Sequence, residues 1–264
     1  MKIICIVKFI PDGDCFEIKG DKPVSIGEGC RLRINPDDEC ALGLALKIKK
    51  SQPDTFIELL TMGPKSLKPL VEDIVRVGID RATIISDQMY DDSDAWVTSQ
   101  ILARYLCDKD YGCLFSGSSA KGVGSSCVPP SIADMLGLCQ LSGITRVDED
   151  NFSRSKAVVD IEDDGFVSSF EMDLPAILSF SHKSGYRLPY VRLKNRNLDV
   201  THKLTFLSNA ELGFDSAEIG LRGSRTKFAG ICATKSTKTE PQVVGIDQQG
   251  IDIVFNLLKE KRII

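Results

Sequence analysis

Along the first half of the chain, short apolar runs alternate with stripes of apolar residues at helical spacing. Ile3–Val7 is a β-branched run between two lysines, which predicts a first strand. Asp37–Lys50 then carries Ala41, Leu44, Ala45 and Ile48 on one helical face, with acids in the first turn and lysines at the end. That charge order suits the helix dipole. Phe56–Met62 predicts a second strand, and Leu67–Val77 predicts its helix, stopped by Gly78. Ala82–Ser86 reads as a third strand, followed by a helix over Asp94–Leu106. Cys113–Phe115 and the pattern Ile132, Ala133, Met135, Leu136 make a fourth strand-helix unit. The alternation predicts an α/β fold, a mostly parallel twisted sheet with helices on both faces.

After Gly137 the pattern changes. Gly143–Asp148, Ala157–Glu162, Gly165–Met172 and Ala176–Phe180 are short and β-rich, with Asp163-Asp-Gly165 as a hairpin turn. From Ser181 the chain is polar and basic, and residues 203–245 show no long periodic element. Only Ile251–Lys261 again predicts a helix. A structureless stretch of about 40 residues is unusual inside a compact domain, so an extended arm wrapped around another chain is expected. The division is then an α/β domain over 1–200 and a C-terminal arm with its helix over 201–264.

The candidate chemistry lies in the fourth unit, at Gly117-Ser-Ser-Ala-Lys-Gly-Val-Gly-Ser-Ser-Cys-Val-Pro-Pro130. Glycines and small hydroxyl side chains stand between a buried strand and a helix. Backbone N–H groups at such a junction, with the positive end of the helix dipole, make an anion site, and phosphate is its natural guest. Pro129 and Pro130 suit the first helical turn, where N–H groups are not needed. A flexible Gly/Ser connection accounts for the same residues, and the loop alone does not choose between the two.

Composition narrows the function classes. Hydrophobic residues at 42% and charged residues at 27% describe an ordinary soluble protein, and a net charge of −4 gives no support for a nucleic-acid partner. No apolar run approaches the roughly 20 residues that cross a bilayer, so no membrane span is expected. The N-terminal run is too short and too β-branched for a signal peptide. Nine scattered cysteines, none in a C-x-x-C pair, read as reduced thiols, mostly small buried hydrophobes. Zinc and iron–sulfur spacings are absent, and a cytoplasmic or equivalent reducing location is expected.

Several segments together resemble the beta subunit of electron transfer flavoproteins. Met1-Lys-Ile-Ile-Cys-Ile-Val-Lys-Phe-Ile-Pro-Asp12 is similar to that family's first strand and turn. Ile34-Asn-Pro-Asp-Asp-Glu-Cys-Ala41, Thr61-Met-Gly-Pro64, Gly78-Ile-Asp-Arg-Ala82 and Asp94-Ala-Trp-Val-Thr98 match later landmarks in order. Glu211-Leu-Gly213, Gly220-Leu-Arg-Gly-Ser-Arg-Thr226 and a helix ending Lys259-Glu-Lys-Arg-Ile-Ile264 complete the series. Asp94-Ala-Trp-Val-Thr98 has the form familiar from anaerobic bacteria, and whether the electron-bifurcating type is meant stays open.

The resemblance implies an adenine-nucleotide α-hydrolase-like fold and a non-catalytic half of a redox heterodimer. An alpha subunit would hold most of an FAD, and the dimer would carry electrons to or from acyl-CoA dehydrogenase-type flavoproteins. The beta-subunit pocket would hold AMP, or a second FAD in a bifurcating, NADH-oxidising member. Catalysis would belong to the chain only in such a complex, with the flavin supplying the chemistry. By position, Ile6, Asn35, Leu60 and Met62 match residues lining the adenosine, and Gly122, Val123, Gly124, Ser125, Ser126, Cys127 and Val128 match the phosphate loop. That loop departs from the family's Gly-x-Gln-Ala-x-Asp-x-Asp-Thr-x-Gln-Val-Gly-Pro: the two acids are Gly122 and Gly124, the Thr is Ser125 and the Gln is Cys127. AMP, a second FAD and an empty pocket therefore stay open. Tyr186–Leu193 resembles the family's dehydrogenase-docking loop, with Arg187 at the family arginine, Val191 at the anchoring leucine and Leu193 beside it. An ordinary edge strand with Val191 and Leu193 packed inward is the other reading of that segment.

The residues speak against two rival classes. An adenine-nucleotide α-hydrolase-type enzyme calls for a Ser-Gly-Gly-x-Asp-Ser-type loop after the first strand, where this chain has Lys8-Phe-Ile-Pro-Asp12. A stress-type nucleotide-binding module has no need of the long tail after residue 200.

Overall fold

The computed structural model describes residues 1–12, 31–120, 126–149, 151–227, 243–261 and 263. The chain opens with β1 (Lys2–Ile6), then a small antiparallel pair, β2 (Phe9–Pro11) with β3 (Leu32–Ile34). There follow α1 (Pro36–Ser51), β4 (Phe56–Met62), α2 (Lys68–Arg76), β5 (Arg81–Ile85), α3 (Ala95–Leu106), β6 (Cys113–Gly117) and α4 (Val128–Leu136). The β-rich part is β7 (Cys139–Val147), β8 (Lys156–Asp163), β9 (Phe166–Asp173) and β10 (Ala176–Phe180). Beyond it come β11 (Leu204–Leu207), the single-turn helices α5 (Asn209–Leu212) and α6 (Gly220–Gly223), and α7 (Gln248–Glu260).

The main sheet has nine strands among the described residues, in the order β11-β5-β4-β1-β6-β10-β7-β8-β9. It is parallel from β11 to β7, and only β8 and β9 run antiparallel. This is the mostly parallel α/β sheet that the strand-helix alternation predicts. Central β1 reads as an apolar run from Ile3 to Ile6 because both faces are covered. Within β1 and the residue after it, Ile3, Cys5 and Val7 join the core under α1 and α2, whereas Ile4 and Ile6 join the core under α3 and α4. The two-residue period of a strand thus feeds two hydrophobic layers from one segment.

Local signals explain most boundaries. Asp94 caps α3, its side chain accepting from the Val97 N–H at 3.0 Å. Gly137 ends α4 in the left-handed conformation, φ 65°. Asp164 (φ 47°) and Gly165 (φ 80°) both take positive φ between β8 and β9, as a two-residue type I′ hairpin demands.

One strand escapes the pattern. β11 lies in the stretch without periodicity, yet it pairs in parallel with β5 at the sheet's edge. Four half-exposed residues are too few to display a period. The first compact unit accordingly runs Met1–Ala229, past residue 200, and Gly230–Ile264 form the second. In that second unit α7 is amphipathic, with Ile251, Val254, Phe255 and Leu257 all exposed. The expectation that most cysteines are buried holds for Cys5, Cys40 and Cys113, but Cys107, Cys127 and Cys139 are exposed. Those three stand at helix and strand ends, where the core does not reach. Cys15, Cys30 and Cys232 lie outside the described residues.

Candidate functional site

A cavity of about 360 Å³ opens at the carboxyl ends of β1, β4 and β6. The chain leaves β1 toward β4 and β5 on one side and returns to β6 on the other, so the cavity sits at the point where strand order reverses. Ligands of open α/β sheets bind at that kind of crevice. Six sequence-matched positions meet there at once: Ile6 from β1, Asn35 before α1, Met62 ending β4, and Ser126, Cys127 and Val128 entering α4. Leu60 does not line it; its side chain is fully buried in the core behind, and its carbonyl accepts the Val7 N–H at 2.8 Å. Gly122, Val123, Gly124 and Ser125 lie outside the described residues.

Of two adjacent carboxylates at the start of α1, Asp38 lines the cavity and Asp37 holds the lining residue Ser119. Asp38 is buried and accepts two backbone N–H groups, Lys8 at 2.8 Å and Gly117 at 2.6 Å. One side chain therefore fixes the loops after β1 and β6 relative to each other. Burial pushes the Asp38 carboxyl up to about 7, against those two donors and Asn35, which favour its ionised form. Asp37, also buried, accepts the Ser119 N–H at 3.0 Å and its hydroxyl at 3.2 Å through one oxygen. Its other oxygen takes the His182 N–H at 2.9 Å and stands 3.1 Å from His182 Nδ1. Asn35 completes the wall by donating to the Ser119 carbonyl at 2.7 Å.

Gly117 is required by space. A Cβ there would overlap the Asp38 carboxylate, and would stand 2.6 Å from the Asp37 Cβ and 2.9 Å from the Asp38 N. The opposite wall is Tyr90–Asp94 and the first turns of α3, with Thr98 and Leu102. Asp94 holds more than its own helix: its second oxygen accepts the Thr226 N–H at 2.8 Å, and its N–H donates to Ser224 at 2.9 Å. The Arg225 guanidinium lies 3.6 Å from the centre of the Trp96 ring, so the lone tryptophan is partnered by a cation. Lys8 brings the cavity a cation, and partial desolvation holds its ammonium below the usual lysine range.

A model of the electron transfer flavoprotein domain matches residues 26–184, more than half of the chain and most of this site. The chain belongs to the electron transfer flavoprotein family. It is 27% identical to the electron transfer flavoprotein subunit beta of Clostridium acetobutylicum, with both chains covered in full. It is 28% identical to the Megasphaera elsdenii beta subunit, over 99% of this chain and 97% of that one. The caffeyl-CoA reductase-Etf complex subunit CarD of Acetobacterium woodii is 29% identical over 68% of each chain. Electron transfer flavoproteins work with flavin cofactors, and among the described residues no helix is long and apolar enough to cross a membrane.

In this electron transfer flavoprotein chain the positions that resemble the family's docking loop are not gathered into a strand. Tyr186–Val191 is irregular and Leu193–Asn195 is a single 3₁₀ turn. Val191 is half-buried, whereas Tyr190 and Leu193 stand 97% and 84% exposed. The protruding apolar tips are thus the neighbours of the residue that alignment to the family singles out. Arg187 turns back to α1, with Nη1 3.5 Å from Cys40 Sγ.

Ser118 and Ser119 fall in the Gly/Ser loop expected to form the anion site, whereas Asp37 and Asp38 were not legible as site builders. Acids in a first helical turn already have an ordinary reason to be there, so no signal set them apart.

Proposed function

We propose that this chain is the beta subunit of a heterodimeric electron transfer flavoprotein, holding an adenine nucleotide in the cavity at the strand ends. The carrying observation is that cavity itself, walled by Ile6 and Met62 and by the polar groups of Asn35, Ser118 and Ser119. Its volume is at the small end of the roughly 300–1,000 Å³ range of ligand pockets, a size suited to an adenosine monophosphate unit. Ile6, Met62 and Leu102 offer apolar surface to a base, and Asn35 and the serines offer partners to ribose hydroxyls. Asp91, Asp92 and Asp94 crowd one rim with carboxylates, so a phosphate belongs on the side of Lys8 and the α4 entrance. The occupant is AMP or the AMP half of a second FAD. A bound flavin would supply the electron transfer, while the chain's own residues bind, orient and exclude water.

In this reading an alpha subunit shares the main FAD and covers the apolar face of α7. Acyl-CoA-linked flavoproteins are the partner class, as the name of the caffeyl-CoA reductase relative suggests. The free thiols support a reducing, cytoplasmic compartment. Co-expression with an alpha subunit is expected to yield a yellow heterodimer that releases adenine nucleotide on denaturation. A yellow monomer with stoichiometric FAD would sink the assignment. Two flavins per dimer and reduction by NADH would identify the bifurcating type.

The docking segment makes a second expectation. An exposed aliphatic tip flanked by Arg192 and Lys194 suits a transient interface, where the apolar group desolvates and the charges guide encounter. Leu193→Asp is expected to slow electron transfer to the dehydrogenase about tenfold or more, with flavin content and heterodimer yield unchanged. Val191→Ala, at the half-buried position, is expected to have the smaller effect. Parental rates in the Leu193 variant would move docking elsewhere.

A further inference from the structure

We infer that Asp37 is a positioning residue that couples occupancy of the nucleotide cavity to the order of the docking segment. The inference rests on the proposed cofactor and docking readings and adds the link between them. One buried carboxylate serves both regions, with one oxygen on each. Its Oδ2 holds Ser119, a cavity-lining residue, through the N–H at 3.0 Å and the hydroxyl at 3.2 Å. Its Oδ1 holds His182, where the chain leaves β10, through the N–H at 2.9 Å and Nδ1 at 3.1 Å. From His182 only a short run of residues leads to Arg187 and the exposed tips at Tyr190 and Leu193.

That run is clamped a second time by the same helix. A Cβ on Gly43 would meet the Arg187 carbonyl carbon and oxygen at 2.7 Å and its nitrogen at 2.8 Å, so the Arg187 backbone lies directly on α1. The Arg187 guanidinium reaches Cys40 on the next turn toward the N-terminus. Residues 182–187 are therefore laid along α1, pinned by Asp37 at one end and by close backbone contact at the other. The cavity side is just as tightly tied. Ser118 accepts the Gly143 N–H at 2.9 Å and donates to the Ser179 carbonyl at 3.0 Å, and Asn35 holds the Ser119 carbonyl. A ligand that orders Ser118 and Ser119 fixes the Asp37 carboxylate, and that carboxylate fixes His182. By linkage, what stabilises one end must stabilise the other by the same free energy.

Asp37→Asn separates this relay from general support. An amide keeps one oxygen acceptor and turns its NH₂ toward the other backbone N–H, so it can accept from the Ser119 or the His182 N–H but not from both. The test is amide hydrogen exchange on the nucleotide-stripped heterodimer, with and without AMP. In the parent, AMP is expected to slow exchange across 182–193 about threefold or more. In Asp37→Asn, read at an AMP concentration that saturates the variant, that protection is expected to vanish. AMP binding without protection of 182–193 in the parent, or equal protection in Asp37→Asn, overturns the relay. A parent that does not bind AMP brings down the cofactor reading and the relay together. Should Asp37→Asn fail to fold, His182→Ala removes one exposed ring contact. It is then expected to reduce the protection about twofold, and unchanged protection would also overturn the relay.

Discussion

Gly117→Ala is expected to abolish the proposed nucleotide binding and to lower the melting temperature by roughly 6–12 °C. The added methyl has no room, because the Asp38 carboxylate, the Asp37 Cβ and the Asp38 nitrogen already fill its place. Neither neighbour is the free end of a flexible chain, since both aspartates are anchored by the hydrogen bonds they accept. The loop after β6 must lift away from α1, losing the 2.6 Å bond from the Gly117 N–H to Asp38. Overpacking typically costs about 1–3 kcal/mol, and a hydrogen bond to a charged group contributes about 1.5–3 kcal/mol. Taking about 3 kcal/mol in total, a chain of this size loses roughly 2–4 °C per kcal/mol, which gives the stated range. Calorimetry and nucleotide content after denaturation check it. A variant that melts with the parent would show that the loop repacks freely and that Asp38 does not fix it against α1.

The second large effect is a pH dependence centred on Asp38. Its native pKa of about 7 stands above the ordinary value of 3.8. Between those values the native state keeps a proton that the unfolded chain has released, so this group makes stability fall as pH rises from about 4 to about 7. Above that window its contribution is level. Asp38→Asn removes the titration while keeping the shape. The difference in unfolding free energy between parent and variant is expected to change across the window by on the order of 1 kcal/mol per pH unit, and to be flat above it. Denaturant titrations at several pH values measure the difference. Parallel profiles would place the Asp38 pKa near the ordinary carboxylate range, with the two backbone donors outweighing burial.

How far each feature was legible follows from what made it. The parallel sheet could be read because doubly covered strands such as Ile3–Val7 and Cys113–Phe115 are apolar without interruption, while α1 and α3 carry their own spacing. The hairpin at Asp163-Asp-Gly165 could be read because positive φ selects those residue types. β11 could not, since its parallel partner β5 is remote in sequence and its own four residues carry no pattern. The glycine at 117 was visible as part of a loop, but its reason was not: the space it leaves belongs to Asp38, 79 residues away. Asp37 was further out of reach, joining Ser119 and His182 across 82 and 145 residues. Contacts of that kind are products of the strand order and leave no local trace.

The exposed face of α7 bears on how the protein is managed as a population of molecules. Ile251, Val254 and Phe255 present to water the sort of surface that stable monomers keep small. If an alpha subunit covers it, apparent stability becomes a matter of mass action and rises with the concentration of that partner. Copies made in excess would then be sticky, short-lived and open to proteolysis at the tail. Matched synthesis of two chains would be enforced by the fate of the unmatched one, with no separate regulator required.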